Sequence, residues 1–144
     1  MLFRSPQSRI VYQRNGSNQA AVVVSGLAPL NTTRIEARLV ALSGYSGATT
    51  GWTPINLISN NKAFRGSVNG FGGWYRLEVR AWADGNLSAE GNIDRVGIGE
   101  VFIVAGQSNA FGVNEAGGAS DDRVSVVDFR DDDAPPLPAV PCSI

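Results

Sequence analysis

The chain has 144 residues, a formal net charge of −1, one cysteine and no histidine. The balanced charge gives no basic surface for nucleic acid, and no apolar run is long enough to span a membrane. The lone Cys142 rules out a disulfide framework within one chain, and it is discounted as a nucleophile because no base accompanies it. The opening Met-Leu-Phe-Arg-Ser-Pro does not have the apolar core expected of a signal peptide.

Short apolar and β-branched stretches recur through the first hundred residues, separated by turns rich in Gly and Asn. This spacing is typical of antiparallel strands, and no stretch shows a convincing apolar helical period. Asp84-Gly85 is a strong hairpin signal, and Pro54 indicates an edge strand or a bulge. The pattern predicts an immunoglobulin-like antiparallel β-sandwich. Its strands are predicted over residues 9–14, 19–25, 34–42, 52–58, 63–68, 74–83 and 87–98.

The clearest strand covers residues 74–83, where apolar and polar side chains alternate. Tyr75, Leu77 and Val79 share one face and are predicted core residues. Trp74 and Trp82 fall on the opposite, charged face. Two aromatic rings among charges indicate a possible glycan contact, but packing against a loop or a neighbouring domain is the favoured interpretation.

A second kind of strand is predicted over residues 101–105, a continuous apolar run bounded by Gly. Such a run is typical of a parallel strand buried on both faces. Gly106 ends it, so Ser108 follows at the carboxyl end of the strand, where open α/β sheets hold their ligands. A turn of ordinary Gly, Ser and Asn chemistry is the alternative interpretation.

The lead-in V-G-I-G-E-V-F and the G-Q-S-N that follows it resemble the first sequence block of the SGNH hydrolases. The similarity is to the sialate O-acetylesterase-like carbohydrate esterases, and it covers about residues 96–112. The resemblance implies that Ser108 is the nucleophile and that its backbone N–H serves the oxyanion hole. It also implies that Gly106, Gln107 and Asn109 shape the site. Ala110 departs from the family, which usually has Met there.

A serine nucleophile needs a general base, and the chain has no histidine. The family's D-x-x-H block, which supplies that base, is therefore expected outside these residues. We interpret residues 1–97 as the β-sandwich and residues 98–144 as the truncated start of a flavodoxin-like α/β catalytic domain. The fold class is mostly β.

The expected parent protein is a carbohydrate O-acetylesterase, secreted or periplasmic, acting on an acetylated carbohydrate without a metal or organic cofactor. No nucleic-acid or membrane partner is expected, and this chain alone is expected to be inactive. The alternative function is a non-catalytic module that binds a glycan or docks a neighbouring domain, with an inert serine motif.

Polar and Pro-rich sequence follows the serine motif. Residues 123–129 are predicted to form a second strand of the α/β region, paired with residues 101–105. Asp121 and Asp122 are predicted to cap the turn before it. The run Asp131-Asp132-Asp133 has no calcium-loop spacing, so a solvated charge run is favoured over a cation site. An extended or disordered tail is expected from Arg130 onward.

Overall fold

The computed structural model describes residues 1–58, 62–103, 121–126 and 137–138, the last pair by backbone alone. This part of the chain is mostly β and contains no helix. All seven strands predicted for the first hundred residues are present, and a short N-terminal strand precedes them. The strands are β1 (Leu2–Ser5), β2 (Val11–Gln13), β3 (Gln19–Leu27), β4 (Arg34–Ala41), β5 (Thr53–Ile58), β6 (Ala63–Phe71), β7 (Gly73–Ala83), β8 (Asn86–Gly99), β9 (Ser125–Val126) and β10 (Leu137–Pro138).

The first eight strands form one curled, mixed sheet in the order β1-β3-β6-β5-β4-β7-β8-β2. Every pairing is antiparallel except that of β2 with β8, which is parallel. The curl turns on β5, whose residues 53–55 pair with β4 while residues 56–58 pair with β6. Pro54 lies in the first of these halves, and a residue without an N–H suits a strand that changes partner there.

Strand β7 lies between β4 and β8 and supplies the centre of the core. Tyr75, Leu77 and Ala81 are fully buried and Val79 is 1% exposed, so the predicted core face is confirmed. Arg76, between them in sequence, is exposed on the other face. The curl brings apolar side chains of the other strands onto the same core. They are Val22, Val24, Ile35, Ala37, Leu39, Ile55, Phe64, Val68, Val96 and Ile98.

Tyr75 is the largest fully buried side chain and is held at its polar end. Its hydroxyl donates a hydrogen bond to the carbonyl oxygen of Phe71 at 2.6 Å, and burial raises the pKa of this phenol. Gly47 lies against the ring with φ of +121°, so a Cβ there would overlap the hydroxyl. A Cβ at Gly73 would overlap the carbonyl oxygen of Ser46. These glycines allow the 44–51 loop to pack on the start of β7.

The same Gly-rich loop continues the hydrogen bonding of β4 beyond the end of β5. Thr50 accepts from the Leu39 N–H through its hydroxyl at 2.9 Å, and its own N–H donates to the Leu39 carbonyl at 2.8 Å. The Thr49 hydroxyl accepts from the Ala41 N–H at 3.0 Å. The loop is therefore fixed along an edge of the sheet, and it carries Tyr45 to a defined place.

Two predictions for the region after β8 need correction. Val101, Phe102 and Ile103 lie outside any strand and are 48%, 83% and 91% exposed, so the predicted buried strand is wrong at these residues. Burial of both faces needs neighbouring strands, and no described strand pairs with them. Of the predicted strand over residues 123–129, the structure describes residues 123–126, and only Ser125–Val126 is a strand, β9. It pairs with β10 and not with residues 101–103, whereas the sequence predicts a pairing with residues 101–105. Residues 104–120, 127–136 and 139–144 lie outside the described part.

Replacing Leu77 by Ala tests the register of β7. Leu77 is fully buried, so we expect the free energy of unfolding to fall by about 2–4 kcal/mol, from lost burial and the cavity left behind. Urea denaturation measures the change. Arg76→Ala, one residue away on the exposed face, is the matched control and should cost far less than Leu77→Ala. Equal losses in the two variants would contradict the register.

Candidate functional site

The predicted nucleophile and its neighbours lie outside the described residues. Gly106, Gln107, Ser108 and Asn109 therefore stay predictions from the sequence. The structure describes the curled sheet that precedes them, and the name β domain is used below for residues 1–99, of which 59–61 are outside the described part. Two clusters of polar and aromatic side chains lie on this domain, and each joins residues far apart in sequence.

Trp74 and Trp82 share the outer face of β7 but are not brought together. Eight residues of extended strand separate their Cα atoms by roughly 26 Å. Trp74 is only 6% exposed, and its ring packs closely against Gly97 of β8, where a Cβ would lie 3.0 Å from the ring. Little of that ring is open to a sugar. Trp82 is half-buried and belongs to a cluster that the sequence did not predict.

Trp82 shares an arginine, Arg80, with Trp52, which lies in the loop before β5. Arginine side chains lie over both indole rings. The guanidinium carbon of Arg80 is 3.9 Å from the ring centroid of Trp52 and 5.1 Å from that of Trp82. Arg38 lies 4.4 Å over Trp52, and Arg34 lies 4.6 Å over Trp82. A cation over an indole face is attracted by the ring quadrupole, so the arginine and tryptophan side chains of this stack stabilise one another.

Two glutamates neutralise most of the positive charge in this stack. Glu36 accepts from Arg80 at 2.8 Å and from the indole N–H of Trp82 at 2.9 Å. Burial raises the pKa of Glu36, but these two hydrogen bonds, together with the charges of Arg80 and Arg34, lower that pKa overall. Glu78 pairs with Arg38 at 2.7 Å. The arginine–tryptophan face therefore presents paired charges rather than an open aromatic platform. Its members are Arg34, Glu36, Arg38, Trp52, Glu78, Arg80 and Trp82.

The second cluster begins at a bulge in β8. Tyr75 pairs with Val96 and Leu77 with Ile93, so Asp94 and Arg95 together face the single residue Arg76. Such a bulge re-aims side chains, and Arg95 takes a left-handed φ of +60°. Arg76 fixes the bulge through Asp94, at 2.7 Å.

Arg95 points towards Arg9 and Tyr45, and the three form what we call the carboxylate notch. Arg9 lies in the connection before β2, with φ of +65°, and its backbone N–H donates to the Arg95 carbonyl at 2.6 Å. The Arg95 guanidinium donates to the Tyr45 hydroxyl at 3.0 Å. Three separate segments of the β domain thus place two cations and a phenol side by side.

The notch holds the carboxylate of Asp122. Arg9 donates to Asp122 Oδ1 at 2.7 Å, Tyr45 donates to Oδ2 at 3.1 Å, and Arg95 forms an ion pair with Oδ2. The bond from Arg9 is the largest cause that lowers the pKa of Asp122, and Tyr45 and Arg95 lower it further. A lowered pKa means that the attachment is complete above the ordinary Asp value and is lost as the pH falls through the lowered one.

Sequence reasoning assigned both aspartates to a turn cap, and only one of them has that role. Asp121 accepts from the Arg123 N–H at 2.9 Å, as an Asx turn does. Its pairing with Arg123 lowers the pKa of Asp121 to about 2. Asp122 instead reaches a partner 113 positions away, Arg9. No local pattern signals that contact, because two of the three groups that bind Asp122 are aimed by left-handed backbone.

An open groove of about 1170 Å³ lies beside the notch. Its lining includes Arg9, Tyr45, Trp74, Phe102 and Arg123. The exposed apolar residues Val101, Phe102 and Ile103 therefore share a groove with Arg9 and Tyr45, two of the three residues that hold Asp122.

Comparison with family models, with curated proteins and with solved structures gave no match. In the described residues, no group of three or more His, Cys, Asp or Glu could hold a metal ion. Asp131, Asp132 and Asp133 lie outside that part. Within the same ranges, no helix is long and apolar enough to cross a membrane.

Arg80→Lys tests the stack on the arginine–tryptophan face. Lysine keeps the charge but loses the planar contact with Trp52 and Trp82, so we expect a loss of about 1 kcal/mol in unfolding free energy. Arg76→Lys is the control, because Arg76 lies on the same face of the same strand and pairs only with exposed Asp94. It should change the unfolding free energy much less than Arg80→Lys does, because an exposed ion pair contributes little. Thermal and urea unfolding of both variants measure the difference, and a neutral Arg80→Lys would show that stacking contributes nothing.

Proposed function

We propose that this chain is part of a carbohydrate O-acetylesterase of SGNH type, in which Ser108 is the nucleophile. The observation that carries the proposal is the sequence G-E-V-F-I-V-A-G-Q-S-N. In it, an apolar run is followed directly by Gly106, Gln107, Ser108 and Asn109. The eight strands that precede this segment pair only with one another, in one sheet, and this supports a separate β domain ahead of it.

In the proposed reaction, the Ser108 hydroxyl attacks the acetyl carbonyl of a sugar ester. The sugar hydroxyl leaves, an acyl-enzyme forms, and water then releases acetate and restores the serine. The backbone N–H of Ser108 donates to the developing oxyanion, with Gly106, Gln107 and Asn109 shaping the site. The proton on the serine must pass to a base contributed from outside these 144 residues, because they include no histidine.

We also propose an immunoglobulin-like sandwich for the β domain. Its support is the strand order, in which β5 divides its pairing between β4 and β6. A second support is Tyr75, near the start of β7, whose hydroxyl bonds to a carbonyl four residues upstream. Immunoglobulin-like domains carry a tyrosine corner of this kind at the start of the corresponding strand, two residues before the second cysteine of antibody domains. In this chain the residue two positions after the tyrosine is Leu77, where antibody domains have that cysteine.

The test of the esterase proposal compares two proteins. The 144-residue chain should show no measurable turnover of an acetyl ester, since a serine hydroxyl without a base is a weak nucleophile. A longer gene product that continues into a D-x-x-H block should hydrolyse acetyl esters and acetylated sugars. Ser108→Ala should lower that rate by at least about 10³-fold, and Ser17→Ala, an exposed turn serine, should not change it. Equal rates in wild type and Ser108→Ala would remove Ser108 from the mechanism.

The second candidate function is a module that docks a neighbouring segment. It is favoured by one observation, the seating of Asp122 in the carboxylate notch. Glycan binding through Trp74 and Trp82 has less support, because Trp74 is 6% exposed and arginines lie over Trp82. Titration of the chain with acetylated oligosaccharides, followed by tryptophan fluorescence, separates these alternatives. Saturable quenching that Trp82→Phe abolishes would favour the glycan module.

A further inference from the structure

We infer that the carboxylate notch of Arg9, Tyr45 and Arg95 is a binding site for a carboxylate ligand, built by the β domain alone, and that Asp122 is a ligand supplied by the chain itself. The site does not depend on the proposed esterase activity. Only its consequence for the serine-bearing segment does.

The first argument is that the backbone of the β domain sets the notch. Arg9 and Arg95 are joined by a main-chain hydrogen bond of 2.6 Å, and both take left-handed φ angles. Non-glycine residues enter that region at a cost, and such outliers cluster where side chains must be held for binding. The segments are further tied by the Ser8 hydroxyl, which donates to the Asp94 carbonyl at 2.9 Å, and by Gly97 N–H, which donates to the Ile10 carbonyl at 2.8 Å.

The second argument is the match between donors and acceptors. Oδ1 of Asp122 receives Arg9, while Oδ2 receives Tyr45 and Arg95, so both oxygens of one carboxylate are used. Each of the three groups offers a donor, and two of them are permanently charged. An amide in the same place would turn an NH₂ group towards a cation. The notch therefore selects a carboxylate over a neutral ligand of the same shape.

The third argument is spare capacity. Nη1 of Arg9 is buried and has no hydrogen-bond partner in the described part of the chain. A buried guanidinium nitrogen left without an acceptor is costly, so Arg9 has donor capacity that Asp122 does not use. Asp122 itself is 41% exposed and is attached through a short turn rather than buried with the notch. Its removal should leave the three donors in place.

One consequence follows for the whole chain. Asp122 comes after the serine motif in sequence, while every residue of the notch comes before it. Seating of Asp122 therefore ties a residue that follows the serine motif to three residues that precede it. If Ser108 is the nucleophile, the notch is a positioning site that fixes the chain on both sides of it.

The experiment removes the chain's own carboxylate and supplies one in solution. In the full 144-residue chain with Asp122→Ala, we expect sodium acetate to shift the NMR signals of the Tyr45 and Arg95 amides and of the Arg9 side chain, saturably and back towards their wild-type positions. Wild type should not respond, because Asp122 already occupies the notch. Sodium chloride at equal ionic strength should not reproduce the shift.

Two further variants make the result specific. Asp121→Ala removes the neighbouring carboxylate but leaves the notch filled, so it should behave as wild type. Combining Asp122→Ala with Arg95→Lys should weaken acetate binding roughly tenfold, since lysine lacks the fork that meets a carboxylate. Unchanged signals from β3 and β7 report that each variant is folded. No acetate response in folded Asp122→Ala, or an equal response in wild type, would overturn the inference, and neither result depends on esterase activity.

Discussion

The register of β7 between β4 and β8 is the constraint on which the rest of this structure depends. Because side chains alternate along a strand, the register that buries Tyr75, Leu77 and Val79 also turns Arg80 and Trp82 outward. A slip of one residue would place arginines in the core, at a cost far beyond that of a lost apolar contact. The core, the arginine–tryptophan face and the bulge opposite Arg76 are thus three results of one alignment.

The same alignment connects stability to the candidate site. Two residues of β8 face Arg76, and this excess turns Arg95 out of the sheet and towards Arg9. The loop that carries Tyr45 is held by its packing against Gly73 and Tyr75, at the start of the same strand. Each member of the carboxylate notch therefore depends on a backbone feature near one end of β7. Phe3 of β1 packs against β8 at Gly91, since its ring lies where a Cβ at Gly91 would be.

Local pattern predicted most of the strands because alternation and turn chemistry are written in neighbouring residues. β1 was missed because four residues, Leu2–Ser5, are too short to show a period. Trp52 was missed as a partner of Trp82, and Asp122 as a partner of Arg9, because both contacts are set by the curl of the sheet. The apolar run at 101–103 failed for another reason. An apolar sequence of this kind indicates that a strand would need cover on both faces. Whether it is buried depends on neighbouring strands elsewhere in the chain.

Native-state hydrogen exchange tests the central claim, that one core registered on β7 holds the whole curled sheet. We expect the slowest amides of β3 and β6 to exchange with the same opening free energy as those of β4 and β7, because β5 joins both sides and a single cluster lies between them. That shared value should equal the unfolding free energy from urea denaturation. Exchange of β3 and β6 through a separate, smaller opening, with β4, β7 and β8 still protected, would contradict the account.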